Sequence, residues 1–199
     1  MNKTLVLLAT CLISFVACKK EKKIVSPPLS AVVKQDINAN HANYQYYSFA
    51  KGDTVPFADS STTKWDIAFK GTSIILNSGI SGSGNAGVII KDALFSEVLT
   101  APITGYAQDA STGKGIPTGS GNGWYNYNPD THLITPIVGR VFIIRTADNK
   151  YAKMQIINYY HGNPVTIDES SASKYFTIRY IYQPDGSTNL KKKNKIVCK

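Results

Sequence analysis

Cysteine is nearly missing from this 199-residue chain, which has only Cys11, Cys18 and Cys198. The long stretch from residue 19 to 197 therefore has no thiol for an internal disulfide or a Cys-x-x-Cys metal site. Long apolar runs are as scarce. The one present, Thr4 to Ala17, is too short to span a bilayer. No sustained helical period, serine-centred elbow or His-Glu-x-x-His pattern occurs, so catalysis has no visible seat and the chain is not expected to be an enzyme. An excess of one charge is also missing where nucleic acid would need it. The formal charge is +9, yet residues 24–190 hold 12 basic and 12 acidic side chains. The surplus sits in Lys3, Lys19 to Lys23 and Lys191 to Lys199, terminal runs that suit solvated tails or anionic head groups and exclude nucleic acid as a partner.

The N-terminus carries the clearest signal. Lys3, the apolar run to Ala17 and Cys18 followed by Lys19-Lys20-Glu21-Lys22-Lys23 have the layout of a bacterial lipoprotein signal, with Phe15 where the usual box has an aliphatic residue. Cys11 is a poorer candidate, because Thr10 precedes it and half the apolar run would remain on the mature protein. Residues 1–17 are thus expected to be a signal peptide and Cys18 the lipidated residue, with several acyl chains giving a stable membrane anchor. The charged start after Cys18 resembles sorting signals that send some Gram-negative lipoproteins to the outer face, so an outer-membrane, cell-surface location is expected. Residues 18–31, with Pro27 and Pro28, read as a lipidated tether, 32–190 as one β domain and 191–199 as a basic tail holding an exposed Cys198 thiol.

The domain is expected to be all-β, built of many short, mostly antiparallel strands. Trp65-Asp66-Ile67-Ala68-Phe69-Lys70 alternates as a half-buried strand would, with Trp65, Ile67 and Phe69 on one face. Ser73 to Leu76 and Val88 to Ile90 are short β-branched runs. Arg140 to Thr146 and Tyr151 to Tyr160 flank Ala147-Asp148-Asn149-Lys150, the composition of a hairpin turn, and Lys174 to Gln183 is closed by Pro184-Asp185-Gly186. Two stretches imitate phosphate-binding motifs. Gly82-Ser83-Gly84-Asn85-Ala86-Gly87 matches G-x-G-x-x-G but runs into Val88-Ile89-Ile90, poor helix formers, so it reads as a loop between strands. Ser111-Thr112-Gly113-Lys114-Gly115 lacks the full P-loop spacing.

Taken in order, Tyr46-Tyr47-Ser48-Phe49-Ala50-Lys51-Gly52, Trp65 to Phe69, Leu76-Asn77-Ser78-Gly79 with Ser81 to Gly84, Gly123-Trp124, Arg140 to Arg145 and Ala152-Lys153-Met154-Gln155 resemble the HmuY-type haem-binding lipoproteins over roughly residues 44–182. The resemblance implies an all-β haemophore that captures haem, from host haemoproteins among other sources, and passes it to an outer-membrane receptor.

Haem wants apolar walls and one or two axial ligands, commonly His or Met. Beyond the signal segment this chain offers His41, His132, His161 and Met154. His132, in Asn128-Pro129-Asp130-Thr131-His132, falls where the resemblance implies an axial histidine. The family's second ligand comes from a longer segment before the Gly-Trp motif, where Ala101 to Asn122 has neither His nor Met. Either coordination is one-sided, or Tyr106, Tyr125 or Tyr127 takes part, or haem is held without family-type ligation. His161 in a turn and Met154 on the Ala152-Met154-Ile156 face are the other possible second ligands, the latter with the pattern of a core residue. Trp124, Tyr125, Tyr127 and Tyr106 are the candidate pocket walls, and no metal other than haem iron is expected. A different class of function, a surface glycan- or partner-binding module that does not ligate iron, would use Trp124, Tyr125 and Tyr127 as a stacking platform.

Overall fold

The computed structural model describes residues 29–192. The expected signal peptide, Cys18, most of the expected tether and Cys198 lie outside the described residues. Eleven strands and one short 3-10 turn make up the domain, and no helix long and apolar enough to cross a membrane occurs among the described residues.

Two long strands form the spine, β10 (Tyr151–Tyr160) and β11 (Ser173–Gln183). Beside them lie β1 (Val32–Asn38), β9 (Arg140–Arg145) and β6 (Gly87–Asp92), giving an antiparallel five-stranded sheet in the order β1-β11-β10-β9-β6. A second sheet, in the order β3-β2-β4-β5, comprises β2 (Gln45–Ser48), β3 (Asp53–Val55), β4 (Ile67–Lys70) and β5 (Ser73–Leu76). A separate hairpin pairs β7 (Tyr125–Tyr127) with β8 (Ile134–Pro136). The expected turn between β9 and β10 is formed, with Asn149 at φ 64° and the Thr146 N–H donating to the Lys150 carbonyl at 2.8 Å.

The sheets pack face to face. Met154 pairs with Tyr180 and Ile156 with Ile178, so the period-2 alternation sends these side chains inward to meet Ile67, Phe69, Ile74 and Leu76 of the second sheet. Phe176 is the hub, with ring centroids 4.7 Å from Phe69, 5.0 Å from Trp124 and 5.1 Å from Tyr159. Each such ring contributes roughly 2–3 kcal/mol by leaving water.

The second sheet is covered on its outer face too, which corrects the expected half-buried strand. Ile67 and Phe69 lie in the central core, but Trp65 packs with Tyr46, Val55, Ala68 and Ile75 on the other side. The strand begins only at Ile67, so the pleat that would have placed Trp65 with Phe69 does not extend back to it.

A third cluster covers the outer face of the five-stranded sheet, where Val141, Ile143 and Ile181 meet Phe95, Val98, Leu29 and Leu190. Leu29 falls inside the segment expected to be tether, yet it is buried. The folded unit therefore starts earlier than residue 32, because that sheet face needs an apolar cover.

Both imitation motifs are structural. Asn77 is fully buried; its amide nitrogen donates to the carbonyls of Thr62 and Trp65, and its oxygen accepts the Gly84 N–H at 2.9 Å. The glycine loop wraps this side chain so closely that a Cβ at Gly82 would lie 2.1 Å from Asn77 Oδ1. The neighbouring Ser111 to Gly115 turn is held by buried Asp109, which accepts the N–H groups of Leu76 at 3.0 Å and Gly115 at 2.8 Å. Close packing accounts for Gly82, Gly84, Gly87 and Gly115, where a Cβ would lie within 3 Å of a neighbouring atom.

Candidate functional site

The β7-β8 hairpin carries His132 at its tip. Asn128 sets the turn, its side-chain oxygen accepting the N–H groups of Asp130 at 2.8 Å and Thr131 at 3.3 Å, while the Asn128 N–H donates to the Leu133 carbonyl at 2.9 Å. His132 follows in the left-handed region, with φ 52°. This turns its ring toward the strand it has just left, and Nδ1 lies 2.6 Å from the Tyr127 hydroxyl. One ring nitrogen is thereby fixed. The other, Nε2, has no hydrogen-bond partner among the described residues.

Beside this ring is a cavity of about 320 Å³ lined by His132, Leu133, Ile134, Tyr160, Asp168 and Glu169, with Ser171 and Ser173. Tyr160 braces its floor by accepting the Ile134 N–H at 2.9 Å. Its volume lies at the small end for ligand pockets. Its far wall is acidic. The hydroxyl of Ser170 beside Asp168 holds that carboxyl below the usual carboxylate range. The contribution of Tyr160, Asp168 and Glu169 was not foreseen, because they come from a distant part of the chain and carry no local motif.

The other candidates scatter. Tyr125 is half-buried and Tyr127 exposed near His132, as the hairpin dictates. Trp124 is different: it is 1% exposed, its Nε1 donates to the Thr72 carbonyl at 2.8 Å, and its ring lies 4.8 Å from Tyr125. The expected exposed platform is therefore corrected at this residue, which belongs to the core. Tyr106 lies with the outer cluster of the five-stranded sheet, 6.2 Å from Tyr151 and under the Arg145 guanidinium, so it does not share a wall with His132. Met154 is fully enclosed between Phe142 and Tyr180 and does not reach the cavity. His161 is exposed, with its ring edge-on to Tyr175 at 4.8 Å, and is not part of the lining. His41 borders an open depression of about 590 Å³ that holds no second histidine or methionine. No cluster of three or more His, Cys, Asp or Glu suited to a metal ion occurs among the described residues.

This arrangement supplies one open imidazole nitrogen on a hydrogen-bonded turn, with a phenol behind it. A model of the HmuY protein family matches residues 40–180. The chain belongs to the HmuY family. Solved structures share the fold at low identity. The apo HmuY analog of Tannerella forsythia is 17% identical over 79% of this chain and 98% of that one, with a TM-score of 0.55. A candidate HmuY-like heme-binding protein from Bacteroides vulgatus is 18% identical over 76% and 91%, TM-score 0.50, and a candidate lipoprotein from Bacteroides fragilis is 14% identical over 77% and 92%, TM-score 0.50. No curated protein matches the sequence. The all-β expectation and the family resemblance both hold for this HmuY-family chain.

Proposed function

We propose that this HmuY-family protein is a lipid-anchored haem binder, not an enzyme, which takes haem at the His132 hairpin on the cell surface, from host haemoproteins among other donors, and yields it to an outer-membrane receptor. The observation that carries the proposal is the 2.6 Å contact between Tyr127 and His132 Nδ1, which leaves Nε2 open. For Nε2 to ligate, Nδ1 must carry the proton and donate to the phenol oxygen, which fixes ring tautomer and orientation. Bound haem would supply ferric or ferrous iron as the Lewis acid. Leu133 and Ile134 would offer apolar contact, and the half-buried Tyr125 and exposed Tyr127 would support an edge. No second His or Met lines the cavity, so ligation through His132 is one-sided.

The same contact supports a second arrangement, in which His132 Nδ1 takes the phenolic proton and Tyr127 oxygen is the ligand. Glycan binding, by contrast, loses its main platform to the burial of Trp124.

Haemin titration into the chain, followed by the Soret band, tests this. His132→Ala should abolish the Soret shift, whereas His41→Ala and His161→Ala should leave it intact. If Tyr127→Phe abolishes it and His132→Ala only weakens it, the tyrosine is the ligand. Acid should release haem, since only neutral imidazole coordinates. Absence of any Soret change in wild type, with retention on a polysaccharide gel, would replace haem by glycan. Lipidation at Cys18 is checked by mass spectrometry of the wild type and of Cys18→Ala, which should carry no acyl chain.

A further inference from the structure

On the outer face of the five-stranded sheet lies a recess of about 410 Å³ whose polar side chains are nearly all cationic. Lys153 of β10 and Arg179 of β11 come from one face of the sheet, since Lys153 pairs with Ile181 and Gln155 with Arg179. Lys153 is 2% exposed. Its Nζ donates to the carbonyls of Phe95 at 2.8 Å and Val98 at 2.6 Å, which uses two of the three hydrogens of an ammonium. Arg179 donates from one terminal nitrogen to Gln155 Oε1 at 2.5 Å, and its buried Nε has no partner. Both cations lie over one aromatic ring, that of Phe95, at 4.7 Å and 4.4 Å. Lys191 and Lys192 also line the recess, Leu99 and Ile181 give it apolar wall, and no carboxylate lines it.

Burying a positive charge without a counter-charge is costly, and four cations around one recess repel one another. An anion would relieve both, and the apolar wall asks for one with an apolar body. The place of the recess in the chain narrows the choice. Ala31 lines it, and residues 19–30, which separate it from Cys18, span at most about 40 Å. A Cys18 anchor would thus keep the recess close to a membrane surface.

We propose that this recess binds the phosphate group of an anionic membrane lipid, with Arg179, Lys191, Lys192 and the free Lys153 hydrogen as donors and Phe95, Leu99 and Ile181 against the apolar part. It rests on the proposed lipid anchor only for its nearness to membrane, and is independent of haem.

The test uses residues 18–199 with Cys18→Ser, which retain every described residue but carry no acyl chain. Co-sedimentation with phosphatidylcholine–phosphatidylglycerol vesicles should exceed that with pure phosphatidylcholine. Arg179→Gln should weaken it about tenfold and Lys192→Gln, at an exposed position where folding is not at stake, about fivefold. Lys64→Gln, an equal change of charge outside the recess, should leave it nearly unchanged. Equal losses in all three variants would reduce the effect to general surface charge and overturn the proposal, as would failure of the wild type to bind. Calorimetry with inorganic phosphate separates the sources: binding as tight as to vesicles would make free phosphate the ligand and overturn the lipid assignment. Haemin titration of Arg179→Gln should match wild type; loss of the Soret shift there would assign the recess to haem propionates instead.

Discussion

The His132 cavity is held by the tip of a hairpin and walled by Asp168 and Glu169, while the Lys153 recess is held by the two central strands and walled by lysines and an arginine. The first puts its proposed ligand, His132, in solvent, where the imidazole is free to meet haem. The second encloses a charge almost completely. A family-typical function can sit on a loop because loops change without cost to the core, whereas the recess is tied to the sheet and to the segments that cover it. The two sites should therefore respond differently to substitution.

Stability separates them most strongly. Phe95→Ala removes a ring that is 8% exposed and covers both cations of the recess, and should lower unfolding free energy by about 3 kcal/mol in urea denaturation. Tyr127→Ala at the exposed hairpin should cost no more than about 0.5 kcal/mol. Equal losses would erase the contrast.

Titration sharpens it next. Burial, and then the neighbouring Arg179, push Lys153 down to about 8. A folded-state value below the ordinary lysine value means that the folded protein loses this proton before the unfolded chain does. The stabilisation this gives is complete above the ordinary lysine value and is lost as pH falls through about 8. Between those limits wild type should gain on the order of 2 kcal/mol relative to Lys153→Met, measured as the difference between their melting profiles. A flat difference would show that Lys153 is not desolvated.

The smallest effect concerns charge at the hairpin. Haem propionates are anionic and the cavity wall is acidic, so Asp168→Asn with Glu169→Gln should tighten haemin binding about threefold at low salt, and less at high salt. Weaker binding would mean that these carboxylates contact the ligand productively.

Strand positions were legible because their signals are local. The run Ser73 to Leu76 is β5 residue for residue, and the Ala147 to Lys150 turn forms where its composition placed it. The Ala152-Met154-Ile156 face does point into the core, and alternation puts Lys153 on the opposite side of the same strand. It could not tell that both faces are covered: Lys153 looks solvent-facing in sequence, but its partners Phe95 and Val98 are more than fifty residues away. Trp124 misled for the same reason, since an aromatic beside two tyrosines reads alike whether it stacks on a ligand or, as here, packs at a tilt against Phe176 in the core.

By itself, the sequence determined the β class, the turns, the neutral body with basic ends, the family resemblance and the short roster of side chains able to ligate iron, because period, composition and residue identity are properties of neighbouring positions. Tertiary structure alone decided which of those side chains have open space, since burial depends on segments that meet only after folding. It enclosed Met154 and Trp124, left His132 free beside Tyr127, and brought Lys153, Arg179, Lys191 and Lys192 around one recess.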